Sequence, residues 1–267
     1  KRKSMIRIYS QRNFSRFIRE RSIVLIALIL VTVFASCRKI NFEGSPGTLA
    51  VFNALDDQIN LYTNFSGSHP FNYSTASLIR NKEFQPNNYR YKIDRAPLPL
   101  ALFASTDTLP KDEPVLKLDL DLKAGDTYSL FVYGQKDAAK HLLLKDLIPG
   151  VKEKDSLVWV RFINLSGFPN ISFNIAGNDP GALVSDLAYE QNSGFLQLPA
   201  DHTVFNYVFE VRDKSTGSLL FSFATERIND YTNLYNGWFN RPNTLVFAGI
   251  PGASGTNAPK LFMMANR

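Results

Sequence analysis

One side chain in this sequence is set up for covalent chemistry. Cys37, the single cysteine of 267 residues, follows Phe34-Ala35-Ser36 at the end of an apolar run from Ile23 to Ala35. Small residues ahead of a cysteine leave its thiol open to lipidation, and cleavage at that point makes the cysteine the new first residue. The run holds thirteen residues, whereas a spanning helix needs about 20. Arg7, Arg12, Arg16, Arg19 and Arg21 ahead of it form a basic n-region. An uncleaved anchor or a buried core helix fits this layout less well. Residues 1–36 are therefore predicted to be a lipoprotein signal peptide, with Met5 a candidate start, and Cys37 the lipid attachment site. Each acyl chain contributes about 0.8 kcal/mol per buried methylene, so several on one cysteine make release negligible. The expected partner is a membrane. Arg38 stands where an Asp would retain the protein at the inner membrane, which points to the outer membrane with its face left open.

Catalysis finds little footing. His69, His141 and His202 are far apart and lack metal-ligand spacing. Gly252-Ala253-Ser254-Gly255 has the wrong spacing for a nucleophile elbow. Asp56-Asp57 reads as a solvated turn, and Asp119 and Asp121 alternate with Lys117 and Lys123 on the wet side of a strand. No enzyme, metal or cofactor is expected. Non-covalent recognition has more material. Tyr231, Tyr235, Trp238 and Phe239 interleave with Asn233, Asn236 and Asn240; flat rings stack on apolar sugar faces while Asn amides exchange hydrogen bonds with hydroxyls. This segment is a candidate glycan platform if at least two rings lie coplanar and exposed. The loop from Tyr62 to Tyr73 is its counterpart in the first half of the chain. The competing reading buries these aromatics as core.

Charge excludes one class of partner. The formal net charge is +6, but residues 1–36 carry eight Lys or Arg and one Glu, so the remaining 231 residues are close to −1. Their basic residues are interspersed with acidic ones, which argues against a nucleic-acid partner.

The elements that must position these groups are strands. Leu116 to Leu122 alternates Leu with Lys or Asp at period two. Similar short runs between Gly, Pro, Asn and Asp clusters are Thr48 to Leu55, Ile59 to Asn64, Leu98 to Ala104, Thr127 to Tyr133 and His141 to Leu147. A second set covers Leu157 to Leu165, Ile171 to Ala176, Phe195 to Leu198, Phe205 to Arg212, Leu219 to Thr225, Thr244 to Ile250 and Lys260 to Met264. Leu183 to Tyr189 reads as a short helical turn. The sets match in order: Val51-Phe52-Asn53-Ala54-Leu55 resembles Arg161-Phe162-Ile163-Asn164-Leu165, the asparagines 111 positions apart, and both halves close on a strand ending in Gly. The expected fold is all-β, two tandem immunoglobulin-like antiparallel sandwiches, with residues 37–47 a tether of at most ~33 Å, a first domain at 48–150 and a second at 151–267. The short linker predicts end-to-end packing.

The opening strand with Asn53-Ala54, its copy Asn164-Leu165-Ser166, the middle turn Pro199-Ala200 and the closing turn Ala124-Gly125-Asp126-Thr127-Tyr128 resemble the bacterial domain-of-unknown-function family 4397. The Ser-Pro-Asp core of that family's opening turn is absent in both copies. The resemblance implies exported β-sandwiches of Bacteroidetes-like bacteria and no established activity. In such bacteria Asp155-Ser156-Leu157 and Asp107-Thr108-Leu109 resemble O-glycosylation acceptors at Ser156 and Thr108. The resulting expectation is a cell-envelope lipoprotein acting as a non-catalytic interaction or structural module, the alternative being a glycan-binding lipoprotein beside a polysaccharide-uptake system. Its partner would be a glycan or another envelope protein.

Overall fold

Two sets of eight strands are found among the described residues. A computed structural model describes residues 46–67, 72–105, 113–150, 156–233 and 236–266; the expected signal peptide, Cys37 and residues 38–45 of the expected tether lie outside them. The first set is β1 (Gly47–Leu55), β2 (Leu61–Asn64), β3 (Leu78–Ile79), β4 (Arg90–Ile93), β5 (Leu98–Ala104), β6 (Leu116–Leu120), β7 (Thr127–Gly134) and β8 (Lys140–Lys145). The second is β9 (Leu157–Leu165), β10 (Asn170–Ile175), β11 (Val184–Ala188), β12 (Asn192–Pro199), β13 (Val208–Asp213), β14 (Leu219–Ala224), β15 (Pro242–Ala248) and β16 (Lys260–Ala265).

Sheet orders β4-β1-β7-β8 and β3-β2-β5-β6 build the first half, and β12-β9-β15-β16 and β11-β10-β13-β14 the second. Adding eight to each strand number turns one half into the other. Even the exceptional pairing repeats: β1 runs parallel to β7 and β9 parallel to β15, while the other pairings are antiparallel. Each half is a four-on-four sandwich, so the chain is the all-β tandem array its sequence predicts. Leu49, Val51, Leu100, Leu102, Leu130 and Val132 fill the first sandwich; Val160, Phe162, Phe173, Phe209, Leu245 and Phe247 fill the second.

Asn53 and Asn164 show how a repeated residue acts structurally. Both are fully buried. The Asn53 amide donates to the Ile59 carbonyl (2.7 Å) and its oxygen accepts from the Leu55 N–H (3.2 Å). The Asn164 amide donates to Phe168 (3.0 Å) while its oxygen accepts from the Ser166 hydroxyl (2.8 Å). Each bridges the turn that carries the chain from one sheet to the other, satisfying backbone groups that burial would otherwise leave unpaired.

Three elements differ from expectation. Leu183 to Tyr189 is not a helical turn: its core is β11, antiparallel to β10, with Leu187 buried. The long loop of the first half contains β3 and β4, which pair with β2 and β1. β3 has two residues and β4 reads Arg-Tyr-Lys-Ile, the short, charged composition of edge strands, whose pairing is imposed by a neighbour.

The packing of the halves also differs. They do not sit end to end. The β4-β1-β7-β8 and β12-β9-β15-β16 sheets turn their outer faces toward each other and bury Ala50, Phe52, Ala54, Phe131, Tyr133, Ile163, Leu165, Val246, Ala248 and Met264 between them. The result is four layers, and Gly44–Arg267 forms one compact unit. The physical reason lies in β1, β7, β9 and β15, whose residues are buried almost without alternation. A strand apolar on both faces needs a cover on both.

Equivalent residues meet at this seam. Ser129 and Thr244 are each third in their strands, and each donates its hydroxyl at 2.6 Å, to Asp146 and Asn266 respectively. Asp146 and Asn266 are themselves equivalent, because each gives its N–H to the first residue of β7 or β15. The Asn266 amide then reaches Ser129 (3.4 Å) and Asp146 (3.5 Å). Such self-contact between equivalents is the mark of an isologous interface, here within one chain. The pattern breaks at one point. Arg161 stands where the first half has Ala50, and its guanidinium donates to Asp146 Oδ1 (2.7 Å) and Thr244 (3.0 Å).

Candidate binding cleft

Three segments frame a cleft of about 640 Å³ against the second sandwich: the loop through Asp201, His202 and Phe205, the loop from Arg227 to Tyr231, and Phe239 before β15. Its volume suits a small ligand. Ile228 anchors the middle loop in the core, and its N–H donates to the Phe205 carbonyl (3.0 Å). The Arg227 N–H donates to Asn206 Oδ1 (2.8 Å), so two hydrogen bonds tie the loops together. Arg227 adopts a left-handed φ of 47° and is exposed.

Each loop carries a carboxylate fixed by its own turn. Asp201 Oδ1 accepts from the Thr203 N–H (2.8 Å) and hydroxyl; Asp230 Oδ1 accepts from the Thr232 hydroxyl (2.7 Å) and N–H (3.2 Å). The Thr203 hydroxyl and N–H hold Asp201 below the usual carboxylate range, and the Thr232 hydroxyl does the same for Asp230. Both are anionic at neutral pH. Carboxylates have about four acceptor sites, so the turns leave capacity for a ligand. Above them, Phe205 and Tyr231 are 58% and 75% exposed, and Tyr231 leans on half-buried Phe239 with centroids 6.2 Å apart and planes at 50°.

The aromatic segment is thus divided between two jobs. Tyr231 and Phe239 line the cleft. Trp238 instead is buried in the second core, 6.1 Å from Phe223. Asn236 is buried too, its amide donating to the Arg227 and Asp230 carbonyls (both 2.8 Å) and its oxygen accepting from the Trp238 N–H (2.8 Å). It is a bracket that shapes the loop. Asn233 is exposed and its carbonyl accepts from the Asn236 N–H (2.9 Å). Tyr235 lies outside the described residues. The 50° tilt replaces the coplanar exposed pair of rings with a wall. Phe205, assigned to a strand from sequence, is the ring that reasoning missed: β13 starts only at Val208, and the signal was the Asp201-x-Thr203 turn just before it.

In the first half, Tyr62 packs edge-on against Tyr73 (4.9 Å) and Phe65 against Tyr91 (4.5 Å), so these rings satisfy each other; His69 lies outside the described residues. His141 sits on β8, away from His202 in the cleft. Among the described residues no three His, Cys, Asp or Glu side chains gather as metal ligands. Ser156 is exposed at the cleft rim; Thr108 and Asp155 fall outside the described residues.

No family model matches the chain. Nor does any curated protein. Solved structures align with most of the chain at low similarity. The chain is similar to a family 41 carbohydrate-binding module of a streptococcal virulence factor, described for alpha-glucan recognition, at 11% identity and TM-score 0.25, over 81% of this chain and 96% of that one. It is similar to a candidate polysaccharide-binding protein of family 1812 from Bacteroides thetaiotaomicron at 9% identity and TM-score 0.24, over 84% and 98%. A candidate adhesin from Bacteroides ovatus matches at 12% identity and TM-score 0.22, over 85% and 98%. Likeness at this level transfers no site.

Proposed function

We propose that this chain is a non-catalytic lipoprotein of the bacterial cell envelope, held at the outer membrane through acylated Cys37, whose second sandwich binds a glycan in the cleft. The observation that carries the reading is the exposure of Phe205 and Tyr231, two rings that line the cleft. Large rings left in water are surface that a ligand can cover, and sugar rings present apolar faces to them. The carboxylates serve Thr203 and Thr232 rather than activating a nucleophile, which suits binding over catalysis. A purely structural module gives no reason for the cleft. The resemblance to family 4397 belongs to the same proposal.

The test is affinity electrophoresis of the full chain in detergent through gels containing soluble polysaccharides. Tyr231→Ala and Phe205→Ala are expected to lose roughly tenfold in affinity, about 1.4 kcal/mol, with folding unchanged because both side chains are exposed. Retardation unaltered in both variants overturns the reading. Radiolabelled palmitate incorporated by the wild type and not by Cys37→Ala checks the anchor.

A further inference from the structure

Resting on the glycan reading, we propose that the cleft selects uncharged saccharides and rejects those bearing carboxylate or sulfate groups. Asp201 and Asp230 line the cleft from two of its loops together with Phe205 and Tyr231, so a ligand resting on those rings meets both fixed acceptors. Those acceptors are fixed because each turn takes both its N–H and its hydroxyl donor to the same Oδ1. Sugar hydroxyls are donors, and a carboxylate is the acceptor that binds them most strongly. A uronate or sulfate brought to the same place meets like charge, which opposes its binding.

Arg227 is the one cleft cation that is always charged. Against two anionic walls it leaves a net negative lining, and its role is that of a donor to ring or hydroxyl oxygens. His202 adds a second polar edge beside Asp201. Acceptors outnumber permanent cations, which is the arrangement for a ligand made of hydroxyls.

The substitution that isolates charge is available because Asn keeps the turn. In Asp201→Asn/Asp230→Asn each side-chain oxygen still accepts from the threonine two residues on, while both negative charges go. The full chain in detergent is applied to an array of neutral, uronate-containing and sulfated glycans. Wild type is expected to bind neutral members alone, and the double variant to gain acidic members at least tenfold over wild type. Acidic glycans bound by wild type as well as neutral ones overturn the selectivity and leave the glycan reading standing. Acidic binding that stays absent in the double variant shows that the carboxylates are not the discriminator and also overturns it. Silence across the array for wild type overturns both.

Discussion

At Asp146 a single carboxylate oxygen pair joins the two halves. Its side chain is 1% exposed and the Arg161 side chain beside it 4%. Removing one member of a buried pair leaves the other charge without compensation, at a cost of about 3–5 kcal/mol. Asp146→Ala is therefore expected to lower stability by that amount in urea titration. Asp146→Asn/Arg161→Ala restores the arrangement of the first half, where Ala50 stands at the equivalent place, and is expected to recover most of the loss. The exposed pair Lys140–Glu190, also across the seam at 3.0 Å, tests the contrast: Lys140→Ala should leave the urea midpoint close to that of the wild type. Lys82 is the opposite case. Its Nζ is buried with no hydrogen-bond partner, and burial, with Lys260 nearby, pulls its pKa below 10.5 against the attraction of Asp56. A lowered ammonium pKa means the unfolded chain holds the proton more firmly, so wild-type stability rises with pH between the lowered value and 10.5. Lys82→Met should be the more stable protein at pH 7, and its advantage should shrink toward pH 10.5.

The same seam can be read at the level of strands. β7 and β15 end alike, with Gly134 at φ 85° and Gly249 at φ 131°. A Cβ on Gly249 would come within 2.7 Å of the Ala258 carbonyl and the Pro259 backbone. Gly249→Ala is expected to cost more than about 1 kcal/mol, lowering the denaturation midpoint, because no flexible side chain is there to give way. The closing Gly recognised in both halves from sequence is thus a requirement of how the last hairpin crosses its own strand end. Phe52 belongs to β1 and is fully buried against Phe131 at 6.1 Å within the seam. Its central position separates the layers, so Phe52→Ala should cost about 3–5 kcal/mol, a loss that an end-to-end arrangement would not predict for a residue facing away from its own sandwich.

For the molecule as a whole, the seam predicts that the sandwiches unfold together. Both tryptophans, Trp159 and Trp238, lie in the second half, so their fluorescence follows that half alone while circular dichroism follows all sixteen strands. Coincident urea transitions by the two probes are expected. A fluorescence transition separated from the dichroism transition would mean that the apolar contacts of Phe52, Phe131, Ile163 and Val246 do not couple the halves.

Local pattern sufficed for much of this protein. Alternation at Leu116 to Leu120, turn residues between short β-branched and aromatic runs, and the repeated Asn53 and Asn164 specified strands, hairpins and a duplicated fold, because period and turn chemistry are properties of neighbouring residues. The unbroken apolar runs of β1, β7, β9 and β15 held the further statement that these strands are covered on both faces. Which surface does the covering is a long-range matter. Only tertiary structure could bring Asp146 to Arg161, or Phe205 to Tyr231 across a gap in sequence. The aromatic segment shows the limit most clearly: Trp238 and Tyr231 are alike in composition, yet one fills the core and the other faces solvent. That division is set by Asn236, whose four side-chain hydrogen bonds turn the loop, and a side chain's direction around a turn is decided by the backbone path, which no spacing of residue types encodes.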